Sequence, residues 1–282
     1  MSTSSVNPSL VNAINPAEVI VIVAMEEELA PFLQLAESVT EPEQVGNSIH
    51  RASVINGRNI LLVHGGIGLV NASGAATSAL LLTQQKNDGA SPPLVISAGS
   101  AGGLGENVKV GDVVIGTDTI NADADARAFG YQLGQVPGMP VSYPVPEDLA
   151  AVSNVGMGST EGSADSADTA RSSTSSSPTD KLVKTVHHGL MVSSYSFIDQ
   201  SRAVVIKGLF DGALSTDMES SAIAQIAYAY NAPFLAIRGI SDLCGPAAET
   251  DFVTHVDDAA DRSAEIVTAV IDAWFAAGSP RP

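Results

Sequence analysis

Four short stretches of this 282-residue chain place carboxylates or hydroxyls where chemistry could be done: "AMEEE" at 24–28, "AGSAGG" at 98–103, "TDME" at 216–219 and "RGISD" at 238–242. Two carboxyl groups held on either side of a reacting bond can divide the work of general acid and general base. A glycine-rich turn can expose backbone N–H groups to an anion. Each stretch alone also has a plainer reading. Three adjacent glutamates suit a solvated helix N-terminus, Thr216 followed by Glu219 fits a capping box, and Ser-Asp after a strand can cap a helix. "AGSAGG" reads as a glycine turn after a strand, without the spacing of a dinucleotide fingerprint or the lysine of a phosphate loop. Whether Glu219 starts its helix or holds a ligand stays open at this level.

Elements on either side must position these groups. "EVIVIVAM", "NILLVHGG", "PPLVISAG", "VKVGDVVIG", "HGLMVSS" and "APFLAIRGISD" are β-branched, apolar runs of strand character, and most of them lead into helical stretches such as "EEELAPFLQLAES" and "LVNASGAATSALLLTQQ". This alternation predicts a three-layer αβα fold, a single domain over 17–282 with a central mixed twisted sheet flanked by helices. In such sheets ligands bind at the carboxyl ends of strands, where all four stretches lie. Residues 1–16 read as a flexible polar tail. The segment of about 156–180, rich in Ser and Asp, has too few large apolar residues to offset its ordering entropy and is expected to be a disordered insertion.

Composition narrows the class. A formal net charge of −18, from 31 acidic and 13 basic side chains, repels nucleic acid phosphates and anionic lipid. There is no run of roughly 18 apolar residues to span a membrane and no secretory signal pattern. With one cysteine, Cys244, no internal disulfide can form, and the expectation is a cytoplasmic protein. Cys244 reads as a small buried hydrophobe. His50, His64, His187, His188 and His255 lack metal-ligand spacing, so no metal and no cofactor is expected, and His187–His188 reads as preceding a strand.

Taken together and in order, "AMEEE" (24–28), "GGIGLVNA" (65–72), "SAGSAGGL" (97–104), "VKVGDVVI" (108–115), "DADARAFGYQLGQVPG" (123–138), "SFID" (196–199), "DMESSAIA" (217–224) and "RGISD" (238–242) closely resemble the methylthioadenosine/S-adenosylhomocysteine nucleosidases, members of the purine nucleoside phosphorylase fold. The resemblance covers most of the chain outside the tail and the insertion. It implies a hydrolase that cleaves the bond between adenine and a 5′-thio-substituted ribose.

Residue by residue, the resemblance implies that Asp242 is the general acid toward the purine imidazole, with Ser241 beside it, and that Glu28 activates the water. Glu219 corresponds to the ribose-hydroxyl ligand, with Met218 under the sugar. Phe197 and Ile198 match the adenine-stacking positions, Ser100, Ala101 and Gly102 the turn lining base and ribose, and Arg238 an arginine near the water. Met25, Ile67, Phe129 and Phe252 fall in the alkylthio pocket. The segment 129–138 resembles the piece that a partner subunit lays over that pocket, which implies a homodimer. Departures lie at Asp217, where many relatives carry glutamate, at Gly65, where serine is common, and in "SYSFID" around the adenine stack.

Water is favoured over phosphate as the nucleophile, because a phosphate dianion needs several cations or a row of N–H groups. Residues 1–50 contain no Arg or Lys, and none lies between Arg58 and Lys86. The alternatives are a nucleosidase for futalosine-type substrates or 5′-deoxyadenosine, a purine nucleoside phosphorylase, and a non-catalytic nucleoside-binding or storage protein.

Overall fold

The computed structural model describes residues 17–84, 91–154 and 185–280, so the N-terminal tail and the Ser/Asp-rich insertion lie outside the described residues. Among the described residues, ten strands form one mixed sheet: β1 (Val19–Val23), β2 (Ser38–Val39), β3 (Glu43–Val45), β4 (Ser48–Ile55), β5 (Arg58–His64), β6 (Leu94–Gly103), β7 (Val113–Asn121), β8 (Val186–Ser193), β9 (Ala213–Asp217) and β10 (Phe234–Asp242). The α-helices are α1 (Glu26–Leu35), α2 (Leu69–Gln84), α3 (Glu147–Val152), α4 (Gln200–Leu209), α5 (Ser220–Ala229) and α6 (Ala248–Ala276).

Burial on both faces explains the unbroken apolar runs. In β1, Ile20 and Ile22 join a core layer shared with Ala72, Ala75 and Ala79 of α2 and Ile223 of α5. The alternate residues Val19, Val21 and Val23 join a second layer with Leu29 and Phe32 of α1 and Val267, Val270 and Trp274 of α6. Period-two alternation thus sends one strand into two cores, which is the three-layer arrangement expected. Close approach is built in where α6 crosses β10: a Cβ on Gly239 would lie 2.0 Å from the Ala259 carbonyl oxygen.

The strand order is β10-β7-β8-β9-β6-β1-β5-β4-β2, with β3 on β4, and β10 also pairs with β6. The five strands β6, β10, β7, β8 and β9 therefore close on themselves, and β6 is the shared element. Its first residues, Leu94 to Ser97, pair in parallel with β1, nearly its whole length from Val95 to Gly102 pairs in parallel with β10, and its last residues pair antiparallel with the end of β9, Gly102 opposite Thr216. Two strand ends running toward each other meet there.

The helix expected over 26–38 ends at Leu35, and the residues that follow form β2, β3 and β4, with Ser38 in a strand. Asn56 and Gly57, both at positive φ (49° and 68°), make a two-residue turn between Ile55 and Arg58. That Asn-Gly pair is the usual sequence signal of a hairpin. His187 and His188 lie inside β8 rather than before a strand, with His187 2.9 Å from Asp112. Among the described residues no helix is long and apolar enough to cross a membrane.

Candidate active site

One cavity of about 600 Å³ opens at the carboxyl ends of β1, β6, β9 and β10. From the expected set it gathers Met25 and Glu28 at the start of α1, Ile67 after β5, and Ser100, Ala101 and Gly102 on β6. Phe197, Ile198, Met218, Glu219, Ser241 and Asp242 complete that set, and Phe252 from α6 joins them. Two expected residues do not line it. Phe129 sits in a short 3₁₀ turn, 83% exposed, and takes no part in the cavity of its own chain. Arg238 is buried behind the wall, 1% exposed, and touches other protein groups.

The "AGSAGG" stretch is not a turn: β6 runs unbroken through it to Gly103. What the glycines supply is room. Gly99 has φ +131°, and a Cβ there would lie 2.4 Å from the Glu28 carboxyl carbon. Glu28 fills that space. Its Oε1 accepts from the backbone N–H of Ser100 (2.8 Å) and from the Ser100 hydroxyl (2.9 Å). Its Oε2 accepts from the N–H groups of Ala24 (2.8 Å) and Met25 (3.2 Å). Of the three glutamates expected at a solvated helix start, Glu26 and Glu27 are exposed, whereas Glu28 is buried and locked between β1 and β6.

The capping box expected at Thr216 and Glu219 is absent. Thr216 Oγ1 has no hydrogen-bond partner, being held within β9, and the Glu219 carboxylate makes no cap bond at the start of α5. Asp217 does that work: its Oδ1 accepts from the N–H of Ser220 at 3.1 Å and from the Ser193 hydroxyl at 2.5 Å, and its Oδ2 from the Ser220 hydroxyl. Freed from capping, Glu219 Oε1 accepts the N–H of Gly68 at 2.9 Å.

Behind these side chains stands Arg238, within 3.0 Å of Asp217, 3.4 Å of Glu219 and 3.9 Å of Glu28. Burial works against its charge, but the three carboxylates outweigh it and hold its proton more tightly than usual. Burial, opposed chiefly by Arg238 and reinforced by Asp217 and Glu28, pushes Glu219 up to about 7. Burial also raises Asp242 above the ordinary carboxyl range, against the N–H of Cys244 (2.8 Å) and the Ser241 hydroxyl (3.0 Å) that favour its anion. Cys244 is buried, its thiol pushed up to about 12 by burial and by Asp242, and so stays protonated.

Sequence reasoning missed several parts of this site. Asp217 was noted only as a departure, and Ser193, which donates to it, and Tyr195 carried no local signal. Tyr195 Oη accepts the N–H of Val70 at 2.9 Å, and Asp123 accepts the Tyr195 N–H at 2.6 Å. A strap from the 194–198 loop to the first turn of α2 results. Glu249 and Val253, which also line the cavity, could have been found from Phe252, since they share its face of α6.

Chemically, the cavity holds a buried carboxyl group with raised proton affinity at one strand end and a four-fold hydrogen-bonded carboxyl at another, with Glu219 beside them. That arrangement suits a bond cleavage that builds positive charge on one fragment and negative charge on the other.

Residues 18–272 match the family model described as the phosphorylase superfamily. A 5′-methylthioadenosine/S-adenosylhomocysteine nucleosidase of Staphylococcus carnosus (strain TM300) is 34% identical over 254 residues, covering 89% of this chain and 97% of the relative. The nucleosidase of that name from Anoxybacillus flavithermus is 33% identical over 253 residues, with 89% and 97% covered. Among solved structures, the nucleosidase of Neisseria meningitidis in complex with methylthio-immucillin-A superposes with a TM-score of 0.75 at 31% identity, covering 90% of this chain and 97% of that one.

Proposed function

Because the chain belongs to the methylthioadenosine/S-adenosylhomocysteine nucleosidase family of the phosphorylase superfamily, we propose that it hydrolyses the N-glycosidic bond of 5′-methylthioadenosine and S-adenosylhomocysteine, releasing adenine and the 5-thio-substituted ribose. The observation that carries this reading is the convergence of Glu28, Glu219 and Asp242, buried and from different strand ends, on one cavity.

Asp242 gives its proton to the imidazole ring of the departing purine, a task its raised proton affinity supports. Glu219 anchors the ribose hydroxyls above Met218. Glu28 orients the attacking water and takes its proton. Three of the four donors on Glu28 are backbone N–H groups and cannot turn away. The fourth is the Ser100 hydroxyl, which can rotate to make room for the water. As the water oxygen bonds to the anomeric carbon, the electrons of the C–N bond pass to the purine. Phosphate is a poor fit as nucleophile. Arg238, the cation behind the cavity, is already surrounded by three carboxylates.

The same reading includes a homodimer in which the 129–138 segment covers the partner's cavity, supported by the exposed Phe129 ring. It also places the enzyme in the cytoplasm, which the lone cysteine Cys244 favours.

Incubation with 5′-methylthioadenosine, with and without phosphate, tests the reaction. Adenine and free methylthioribose are expected in both, and a strict need for phosphate with a sugar 1-phosphate product would make the protein a phosphorylase. Asp242→Asn should lower kcat by about 10²–10⁴-fold with the fold intact. Glu28→Gln should stop hydrolysis and retain ligand.

A further inference from the structure

Each nitrogen of the Arg238 guanidinium faces a different carboxylate. Nε lies 3.0 Å from Asp217 Oδ2, Nη2 3.4 Å from Glu219 Oε2, and Nη1 3.9 Å from Glu28 Oε1. Because the fork is planar and rigid, whatever fixes one edge of it sets the direction of the others. The contacts toward Glu219 and Glu28 are long, whereas the one toward Asp217 is short. A second short contact lies at Nη2, which donates to the Ser97 hydroxyl at 2.7 Å. Asp217 and Ser97 therefore set the direction in which Arg238 presents its charge to the other two carboxylates.

Neither residue has a polar atom left for a ligand. Asp217 Oδ1 accepts from the Ser193 hydroxyl and from the N–H groups of Glu219 (3.3 Å) and Ser220 (3.1 Å), and Oδ2 accepts from the Ser220 hydroxyl beside the Arg238 contact. Those groups already fill the roughly four lone-pair sites of a carboxylate. Ser97 is fully buried on β6, outside the cavity lining, its hydroxyl 3.0 Å from that of Ser220. Any influence on the reaction must pass through other side chains. Ser193, which donates to Asp217, also accepts the N–H of Ser221 at 2.9 Å, so the end of β8 and the first turn of α5 belong to the same network.

We propose that Asp217 and Ser97 are positioning residues for the hydrolysis: by seating Arg238 they hold the Glu219 carboxylate where it meets the ribose hydroxyls. The inference rests on the nucleosidase activity proposed above. Each residue can be removed in a way that separates its task. An amide keeps one acceptor oxygen and presents an NH₂ group on its other side, so Asp217→Asn must abandon either the N–H groups of α5 or Arg238. Ser97→Ala removes the anchor at Nη2 and leaves the Asp217 bonds at the start of α5 in place.

The test measures Tm and kcat/KM for 5′-methylthioadenosine in Asp217→Asn and Ser97→Ala, each made in the wild-type and in the Glu219→Gln background. In the wild-type background kcat/KM should fall about 10–100-fold for Asp217→Asn and roughly three- to tenfold for Ser97→Ala. In the Glu219→Gln background both losses should shrink to within about twofold, because the group through which they act is already gone. A role confined to stability would lower Tm and leave kcat/KM of the folded protein unmoved in either background. Losses that persist in full beside Glu219→Gln, or wild-type rates in both variants, would overturn the positioning role while leaving the hydrolase intact. Should Asp217→Asn not fold, Ser97→Ala decides the question by the same comparison. A wild type that releases no adenine would remove the nucleosidase activity itself, and this inference with it.

Discussion

Gly68 donates its backbone N–H to Glu219 Oε1 at 2.9 Å, joining the glycine loop after β5 to the start of α5 across 151 positions of sequence. With Arg238 at 3.4 Å behind it, the carboxylate is aimed into the cavity rather than onto its own helix. Glu219→Gln should therefore lower kcat/KM on the order of 100-fold, as charged hydrogen bonds to the sugar are lost. Stability should move the other way. The folded value of about 7 lies above the 4.5 of the unfolded chain, so the ionised side chain destabilises the fold above pH 7 and that cost fades as pH falls toward 4.5. Thermal melts at pH 8 should show the variant unchanged or more stable. A large drop in Tm with activity retained would restore a structural role for Glu219. In the wild type, kcat/KM should fall as pH drops below about 7 and Glu219 takes up a proton.

Gly99 faces the Glu28 carboxylate with no room for a methyl group, a Cβ falling 2.4 Å from it, and its φ of +131° disfavours any side chain. Gly99→Ala should displace Glu28, lowering kcat by on the order of 100-fold and stability by about 1–3 kcal/mol. Steady-state rates with chemical denaturation check both. A fully active variant would mean that Glu28 need not sit where it does.

Tyr195 ties the segment leading to Phe197 to the first turn of α2, its hydroxyl accepting from Val70 while Asp123 holds its backbone. Loss of that one bond in Tyr195→Phe costs about 1 kcal/mol. The expected result is KM raised about fivefold with kcat nearly unchanged, because the strap positions the binding loops and does not touch the reacting atoms. Equal KM values would show that the two loops hold their places without it.

His50 is fully buried, its Nε2 between the hydroxyls of Ser48 (2.9 Å) and Ser78 (3.1 Å). Burial lowers it from 6.5 to about 4. The unfolded chain therefore takes up a proton below pH 6.5 that the folded protein refuses until about pH 4. The stability present above 6.5 is lost across that window, by about 3 kcal/mol in all. Urea unfolding at pH 7 and pH 5 should show the loss in the wild type and a shallower dependence in His50→Gln. Identical pH slopes would rule out His50 as the acid-sensitive group.

Much of the site was legible because its residues follow strands in short, recognisable patterns. Glu28, Ser100, Glu219 and Asp242 could each be placed at a strand end from apolar periodicity and the glycines nearby. The Thr216–Glu219 capping pattern misled for a physical reason. Thr216 is the partner of Gly102 in a strand pairing, and a residue held in a sheet cannot turn its hydroxyl to the helix that follows. The hairpin at Asn56–Gly57 carried its own signal, whereas Tyr195 and Ser193 carried none, since their partners lie 24 to 125 positions away.

By itself, then, the sequence determined which segments are strands buried on both faces, which groups stand at their ends, and the family to which their order belongs. These follow from local periodicity and side-chain type. Only the tertiary structure decided that Asp217 caps α5 so that Glu219 is free, that Arg238 lies behind the wall among three carboxylates, and that Phe129 is absent from its own cavity. Those outcomes depend on β6 pairing with β1, β10 and β9 at once, a long-range closure that brings distant charges within 4 Å of one another.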